Sequence, residues 1–386
     1  MKAYRVQQTG LVILVCALVC LVCEVAVVAQ NSRYVVTDLG TFGGNRSVAF
    51  SINNWGEVAG YAENSSNESH AFIYQRGVLI DLGTLGGKDS YAYNINDSGL
   101  IVGRSQNENG FYRPFITTIA GPQVDLSTIH PLLAGLFSTA ARVNKWAQVV
   151  GYTATAAGDY HGLRHRSFLY NNSQIIDLGT LGGAESIATA INDAGQIVGY
   201  ISRDSHATYA AHRGYLLVRD TLTDLGSLGG ENTTPVAINN SGQVVGYAQT
   251  SSGEPHAFVY NGKILDLGTL AGGSQSLAFG INDAGEIVGA ADTSARVLHA
   301  FLYSKGMMQD LNDLIPTSSG WVLTEARSIN ETGQIVGNGI LNGQERAFLL
   351  TPVGDLKANA GPTRPLRVRL ETANQLRVNN KNPKQP

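Results

Sequence analysis

The chain has 386 residues, of which only 15% are charged and 45 are glycine, and its formal net charge is -3. That mixture speaks against long, salt-bridged helices and for many tight turns between short strands. The charge balance excludes a general electrostatic case for nucleic acid or an anionic membrane surface as partner.

The first residues read as a targeting segment. Lys2 and Arg5 give a positive start, 11–23 is an unbroken apolar run, and Val27, Val28 and Ala29 offer a small-residue cleavage site before Gln30. Glu24 ends a run too short to span a bilayer comfortably. We therefore expect 1–29 to be a signal peptide and the mature chain to be exported, with no membrane insertion after cleavage. All three cysteines (Cys16, Cys20, Cys23) fall in that segment. The exported part is then expected to have no disulfide, no thiolate metal site and no cysteine nucleophile.

From residue 34 the chain repeats itself. An Asp-Leu step recurs at Asp38, Asp81, Asp125, Asp177, Asp224, Asp266 and Asp310, with spacings of 43, 44, 52, 47, 42 and 44 residues. Most copies continue as Asp-Leu-Gly-Thr-Leu-Gly-Gly or a close variant; those at Asp125 and Asp310 drift. A second block opens on a β-branched residue and Asn, turns through two variable positions and usually Gly, and closes an apolar run on Gly. Its asparagines are Asn53, Asn96, Asn144, Asn192, Asn239, Asn282 and Asn330, and Ala147 takes the turn-glycine place in the third copy. A third block is His or Arg, a small residue, an aromatic and then apolar residues, as at His70, Arg113, Arg166, Arg213, His256, His299 and Arg346.

Each block is strand-sized, rich in β-branched or aromatic residues, and bounded by turn formers. In the fourth copy, strand A ends near Ile191, Asn192 opens a turn that closes at Gly195, strand B covers 196–200, strand C about 215–218 and strand D 222–225. Four antiparallel strands per repeat of this length predict an all-β, seven-bladed β-propeller. Residues 34–39 form a D strand with no A, B or C before it, whereas the last recognisable strand, 347–350, is a C strand. The N-terminal strand is therefore expected to complete the last blade and close a ring within 30–351. Beyond it, 352–386 carries seven Lys or Arg against two acids and reads as a basic, disordered tail.

Alternating strands place the A–B and C–D turns on one face and the B–C and D–A connections on the other. The second face is the variable one, with its largest B–C insertions at 153–165 and 201–212. Variable loops on a rigid scaffold are where binding is expected. The candidate ligand-contact residues are Asp159, Tyr160, His161 and His165 in one insertion and Asp204, His206, Tyr209 and His212 in the next. The Asn-Asp-x-Gly turns lack the carboxylates of a calcium loop, and the sevenfold His/Arg–Asp pairing suits a structural link better than catalysis. No phosphate cradle, serine elbow or zincin helix is present in the sequence, so no catalytic residue, metal site or cofactor is expected.

The His-Ala-Phe strand, with Asp-Leu-Gly-Thr-Leu-Gly-Gly and Ile-Asn-Asp-x-Gly-x-Ile-Val-Gly, resembles the HAF family of bacterial extracellular repeat proteins over 34–351. It departs from that pattern where Arg113, Arg166, Arg213 and Arg346 replace the His. The resemblance implies export and a repeat architecture, and no catalytic set. The expected function is a secreted or cell-surface binding module, acting as a monomer, for an extracellular polysaccharide, matrix component or protein; the periplasm is the other location considered. The alternative is a propeller enzyme acting on extracellular glycans or esters, for which strand A supplies few carboxylates beyond Glu185 and Glu325.

Overall fold

The computed structural model describes residues 32–156, 163–202 and 211–354. Seven four-stranded antiparallel sheets form the blades of a propeller, each in the order A-B-C-D. The A strands are Gly43–Ile52, Gly86–Ile95, Phe137–Val143, Glu185–Ile191, Gly229–Ile238, Ser276–Ile281 and Trp321–Ile329, and each touches the A strands on either side around the centre. Blade 4 continues with Ile197–Ser202, His212–Val218 and Thr221–Asp224, close to the sequence reading but with a longer strand C.

Three sequence motifs meet inside every blade. The glycine that ends the second block lies inside strand B (Gly60, Gly103, Gly151, Gly199, Gly246, Gly289, Gly337) and leaves no room for a side chain. A Cβ there would lie 1.9–2.1 Å from a strand-A carbonyl oxygen. The aromatic of the third block pairs with that glycine across strands B and C, as in Gly60 with Phe72 and Gly337 with Phe348. These seven aromatics (Phe72, Phe115, Phe168, Tyr215, Phe258, Phe301 and Phe348) are at most 1% exposed. Each such burial contributes about 1.5–3 kcal/mol. Strand A carries a β-bulge in all seven blades, skipping for example Phe50, Tyr93 and Arg327.

The Asp of Asp-Leu-Gly builds a turn of its own. Its Oδ1 accepts the backbone N–H two residues on, at 2.7–2.9 Å in all seven copies. The same carboxylate pairs with the His or Arg of strand C in five blades: His70–Asp81, Arg166–Asp177, Arg213–Asp224, His256–Asp266 and His299–Asp310. The other two depart from the expected link. Arg113 donates to the Gly135 carbonyl at 2.6 Å and Arg346 to Gln344 Oε1 at 2.8 Å. A second staple joins neighbouring blades, because Ser90 Oγ accepts from Ala71 N at 2.8 Å and donates to the Gly83 carbonyl at 2.6 Å.

Closure follows the expected scheme. Tyr34–Asp38 is the outer strand of blade 7, antiparallel to Gln344–Pro352, with Tyr34 opposite Pro352 and Asp38 opposite Phe348. The asparagines of the second block close the ring from inside. Each Nδ2 donates to the backbone carbonyl of the next blade's asparagine, at 2.8–3.2 Å, and Asn330 completes the circle on Asn53. Each Oδ1 accepts the N–H four residues on, at 2.9–3.0 Å. All seven asparagines are buried.

Two predictions follow from this geometry. Asn330→Ala leaves the Gln334 N–H without its acceptor and the Asn53 carbonyl with only the Gly56 N–H of its own turn. Urea denaturation should show a loss of about 1–3 kcal/mol with an unchanged m value. Ala147 holds φ +61°, a left-handed conformation that glycine takes in the other six copies of this turn. Ala147→Gly should therefore raise stability, by about 0.5–1 kcal/mol after the entropy glycine adds to the unfolded chain.

Candidate functional site

The ring has two mouths of different character. At the A–B turns, the residue after each asparagine contributes Asn54, Asp97, Lys145, Asp193, Asn240, Asp283 and Glu331 to the rim of a cavity of about 200 Å³. Six of the seven steps around this rim are hydrogen bonds from one residue's backbone N–H to the next residue's side chain, such as Asn54 N to Asp97 Oδ1 at 2.9 Å. Four carboxylates against one ammonium make this mouth acidic. Burial, with Asp283 and Asp97 nearby, pushes the Glu331 carboxyl up. Two of the three tryptophans sit here: Trp55 and Trp146 each donate their indole N–H to the next blade's backbone, at Asp97 and Asp193. Their task on this face is to tie blades together.

The opposite mouth is aromatic. The residue after the strand-B glycine is Tyr61, Arg104, Tyr152, Tyr200, Tyr247, Ala290 or Asn338 in blades 1 to 7. Because side chains alternate along a strand, this residue faces the next blade. Tyr61 accordingly meets Tyr91 with ring centroids 5.0 Å apart. Neighbouring rings then follow without a break from blade 1 to blade 3. Phe50 lies 5.2 Å from Tyr93, Tyr91 6.2 Å from Tyr112, Tyr112 6.0 Å from Phe137, and Phe137 6.0 Å from Tyr152. The bulge in strand A carries Phe50 and Tyr93 into this belt. Most of these rings remain partly accessible. Burial pushes the Tyr61 hydroxyl up to about 12 and raises those of Tyr93, Tyr112 and Tyr200 as well, so all stay protonated donors at neutral pH.

Arg104 sits in the middle of the belt. Its guanidinium carbon is 4.9 Å from the Tyr91 ring, 4.7 Å from Tyr112, 5.1 Å from Phe137 and 5.7 Å from Tyr93. Sequence reading passed over this belt because its rings come from strands A, B and C of three blades. The signal it left was the tyrosine after the strand-B glycine in four of seven copies.

Of the candidate residues from the two insertions, Asp159, Tyr160, His161, Asp204, His206 and Tyr209 lie outside the described residues. His165 and His212 are described, and both sit in strand C rather than in a loop, because the B–C hairpins stay paired as far as Ala156–Leu163 and Ser202–His212. His165 Nδ1 is 2.8 Å from Glu185 Oε2, a bridge between blades 3 and 4, and its ring lies 5.5 Å from Tyr152. The His212 ring lies 4.6 Å from Tyr200, and its backbone N–H donates to Asn232 Oδ1. The structure thus extends the aromatic belt to His165, while Tyr200 and His212 form a pair of their own. Among the described residues, no three His, Cys, Asp or Glu side chains converge as a metal site would require.

Fold and mouths together define a closed seven-bladed β-propeller with one acidic face and one aromatic face. Sequence comparison places the chain in a family: it belongs to the family described as "Protein of unknown function (DUF3466)", which matches residues 85–181 and 179–368. No curated protein shares significant sequence similarity with it. Among solved structures it is similar to the β-propeller domain of the Trilobed protease from Pyrococcus furiosus. The two share 10% identity at TM-score 0.51, over 80% of this chain and 97% of that one. It is also similar to an acylaminoacyl peptidase (11% identity, TM-score 0.50, 76% of this chain and 49% of that one). A puromycin-hydrolysing peptidase of Mycobacterium tuberculosis matches at 12% identity and TM-score 0.50, over 83% of this chain and 52% of the peptidase. The chain spans about half the length of these two peptidases. At such identities the likeness shows the fold alone.

Burial holds the His212 imidazole below its usual 6.5, with Glu185 pulling the other way. The unfolded chain therefore takes up this proton first. The stability is present above about pH 6.5 and is lost as pH falls through the lower folded-state value. His212→Gln should accordingly show a smaller drop in thermal midpoint than the parent between about pH 7 and about pH 5.

Proposed function

We propose that the protein is an exported, non-catalytic binding propeller that acts as a monomer at the cell surface, in the secreted fraction or in the periplasm. Its ligand is an extracellular polysaccharide, taken on the face formed by the B–C and D–A connections. The observation that carries this reading is the run of partly accessible rings from Phe50 to Tyr152, with His165 at its end. Aromatic faces stack on the apolar faces of sugar rings, and protonated tyrosine hydroxyls donate to sugar oxygens. A matrix component or protein is the other partner class this face suits. The apolar segment before Gln30 and the likeness of the linked motifs to HAF extracellular repeats support export.

One observation favours a second reading. The His165–Glu185 pair has the form of an oriented imidazole, as an enzyme acting on glycans or esters would use. Against it, Glu325, the other strand-A carboxylate, is paired with Arg327. A glycan array and a hydrolase screen on the purified protein separate the two. We expect saccharide binding without turnover, weakened about tenfold or more by Phe137→Ala or Tyr152→Ala. Turnover lost in Glu185→Gln would overturn the non-catalytic reading, and a folded protein that retains no saccharide would overturn the binding one.

A further inference from the structure

We infer that the sugar bound at the aromatic mouth is acidic, with a uronate carboxylate seated on Arg104; this rests on the glycan-binding reading above. The repeat makes Arg104 conspicuous. Its slot after the strand-B glycine holds tyrosine in blades 1, 3, 4 and 5, alanine in blade 6 and asparagine in blade 7. Arginine occupies it once, at the middle of the ring belt, where Tyr91, Tyr93, Tyr112 and Phe137 surround the guanidinium within 5.7 Å.

The charge of Arg104 has no counter-ion among the described residues. Its side chain makes no hydrogen bond or ion pair with any of them, and its Nε is sealed from solvent without an acceptor. Four other arginines are matched, whereas burial with no compensating partner pulls Arg142, in strand A of blade 3, down to about 10. Arg46 pairs with Glu345 at 2.6 Å, Arg327 with Glu325, and Arg296 with Asp292 at 3.2 Å, while Arg113 donates to the Gly135 carbonyl. The acid nearest in the belt's own contacts, Asp89, accepts instead from Ser69 N at 2.9 Å and from the Tyr112 hydroxyl at 3.4 Å. Ring quadrupoles compensate a half-buried guanidinium only in part, and an anion supplies the rest.

The class of anion follows from charge and shape. A single planar guanidinium matches a monovalent, planar carboxylate through two parallel N–H bonds. A phosphate or sulfate polymer would call for several cations, which the belt does not offer. The rings flanking Arg104 suit the sugar that carries the carboxylate. The acidic A–B mouth, with Asp97, Asp193, Asp283 and Glu331, repels the same polymer, so binding is confined to one face.

The test is titration calorimetry of the purified protein with oligomers of polygalacturonate, alginate and glucuronan, each beside its carboxyl-reduced counterpart. At least one acid form should bind about tenfold or more tightly than its reduced form, with the difference shrinking as salt is raised. Arg104→Tyr places in blade 2 the residue that four other blades carry there, so the variant is expected to fold, and its thermal midpoint is measured to confirm that. It should bring acid and reduced forms to within about twofold of each other. Equal binding of both forms by the parent, or a preference that survives Arg104→Tyr, overturns the inference while leaving the glycan-binding face in place. Loss of binding to every saccharide tried removes both.

Discussion

Seven buried carboxamides hold the blades of this propeller in register. An asparagine at the end of each innermost strand satisfies a backbone N–H of its own turn and the backbone carbonyl of the next blade's asparagine. A buried backbone N–H left without a partner costs roughly 1–3 kcal/mol, and the bond to the next blade adds a second donor to a carbonyl that already accepts from its own turn. No other side chain at this position has a donor and an acceptor at the required spacing without an added charge or a longer stem. The circle from Asn53 back through Asn330 joins residues 277 apart in sequence, and it complements from inside the outer pairing of Tyr34–Asp38 with the last strand.

That constraint separates the two faces. Where the carboxamides lie, the A–B turns must keep one length and one geometry, and even Ala147 is forced into a glycine conformation to comply. The two tryptophans of that face are tied to neighbouring backbone. On the opposite face the B–C and D–A connections answer to no such circle. Their lengths vary, and the side chains that lean into the gaps between blades are free to differ from copy to copy. Diversity concentrates there as a belt of rings around one unmatched arginine.

Repeat spacing carried the architecture. Strand count, blade number and the N-terminal staple were legible because a four-stranded unit has a characteristic length and because the first and last strands lacked complementary partners. The role of individual motif residues was legible only in part. Asn as a turn former was expected, and its reach into the next blade was not. The His/Arg–Asp link was expected in every blade, yet Arg113 and Arg346 turn to other acceptors. His165 and His212 were read as loop residues, although hairpin pairing runs far enough to hold both in strands.

What the sequence by itself determined is the repeat: its period, its turn chemistry, and the glycine and aromatic that must touch within each blade. Those are local relations, and a short-range pattern records them. Which side chains gather at a mouth is decided by closure, which sets residues more than forty positions apart side by side. Arg104 shows the difference. In the sequence it is one departure from a tyrosine column; in the ring it lies within cation–π distance of Phe137 on the neighbouring blade, and only that neighbourhood gives its charge a use.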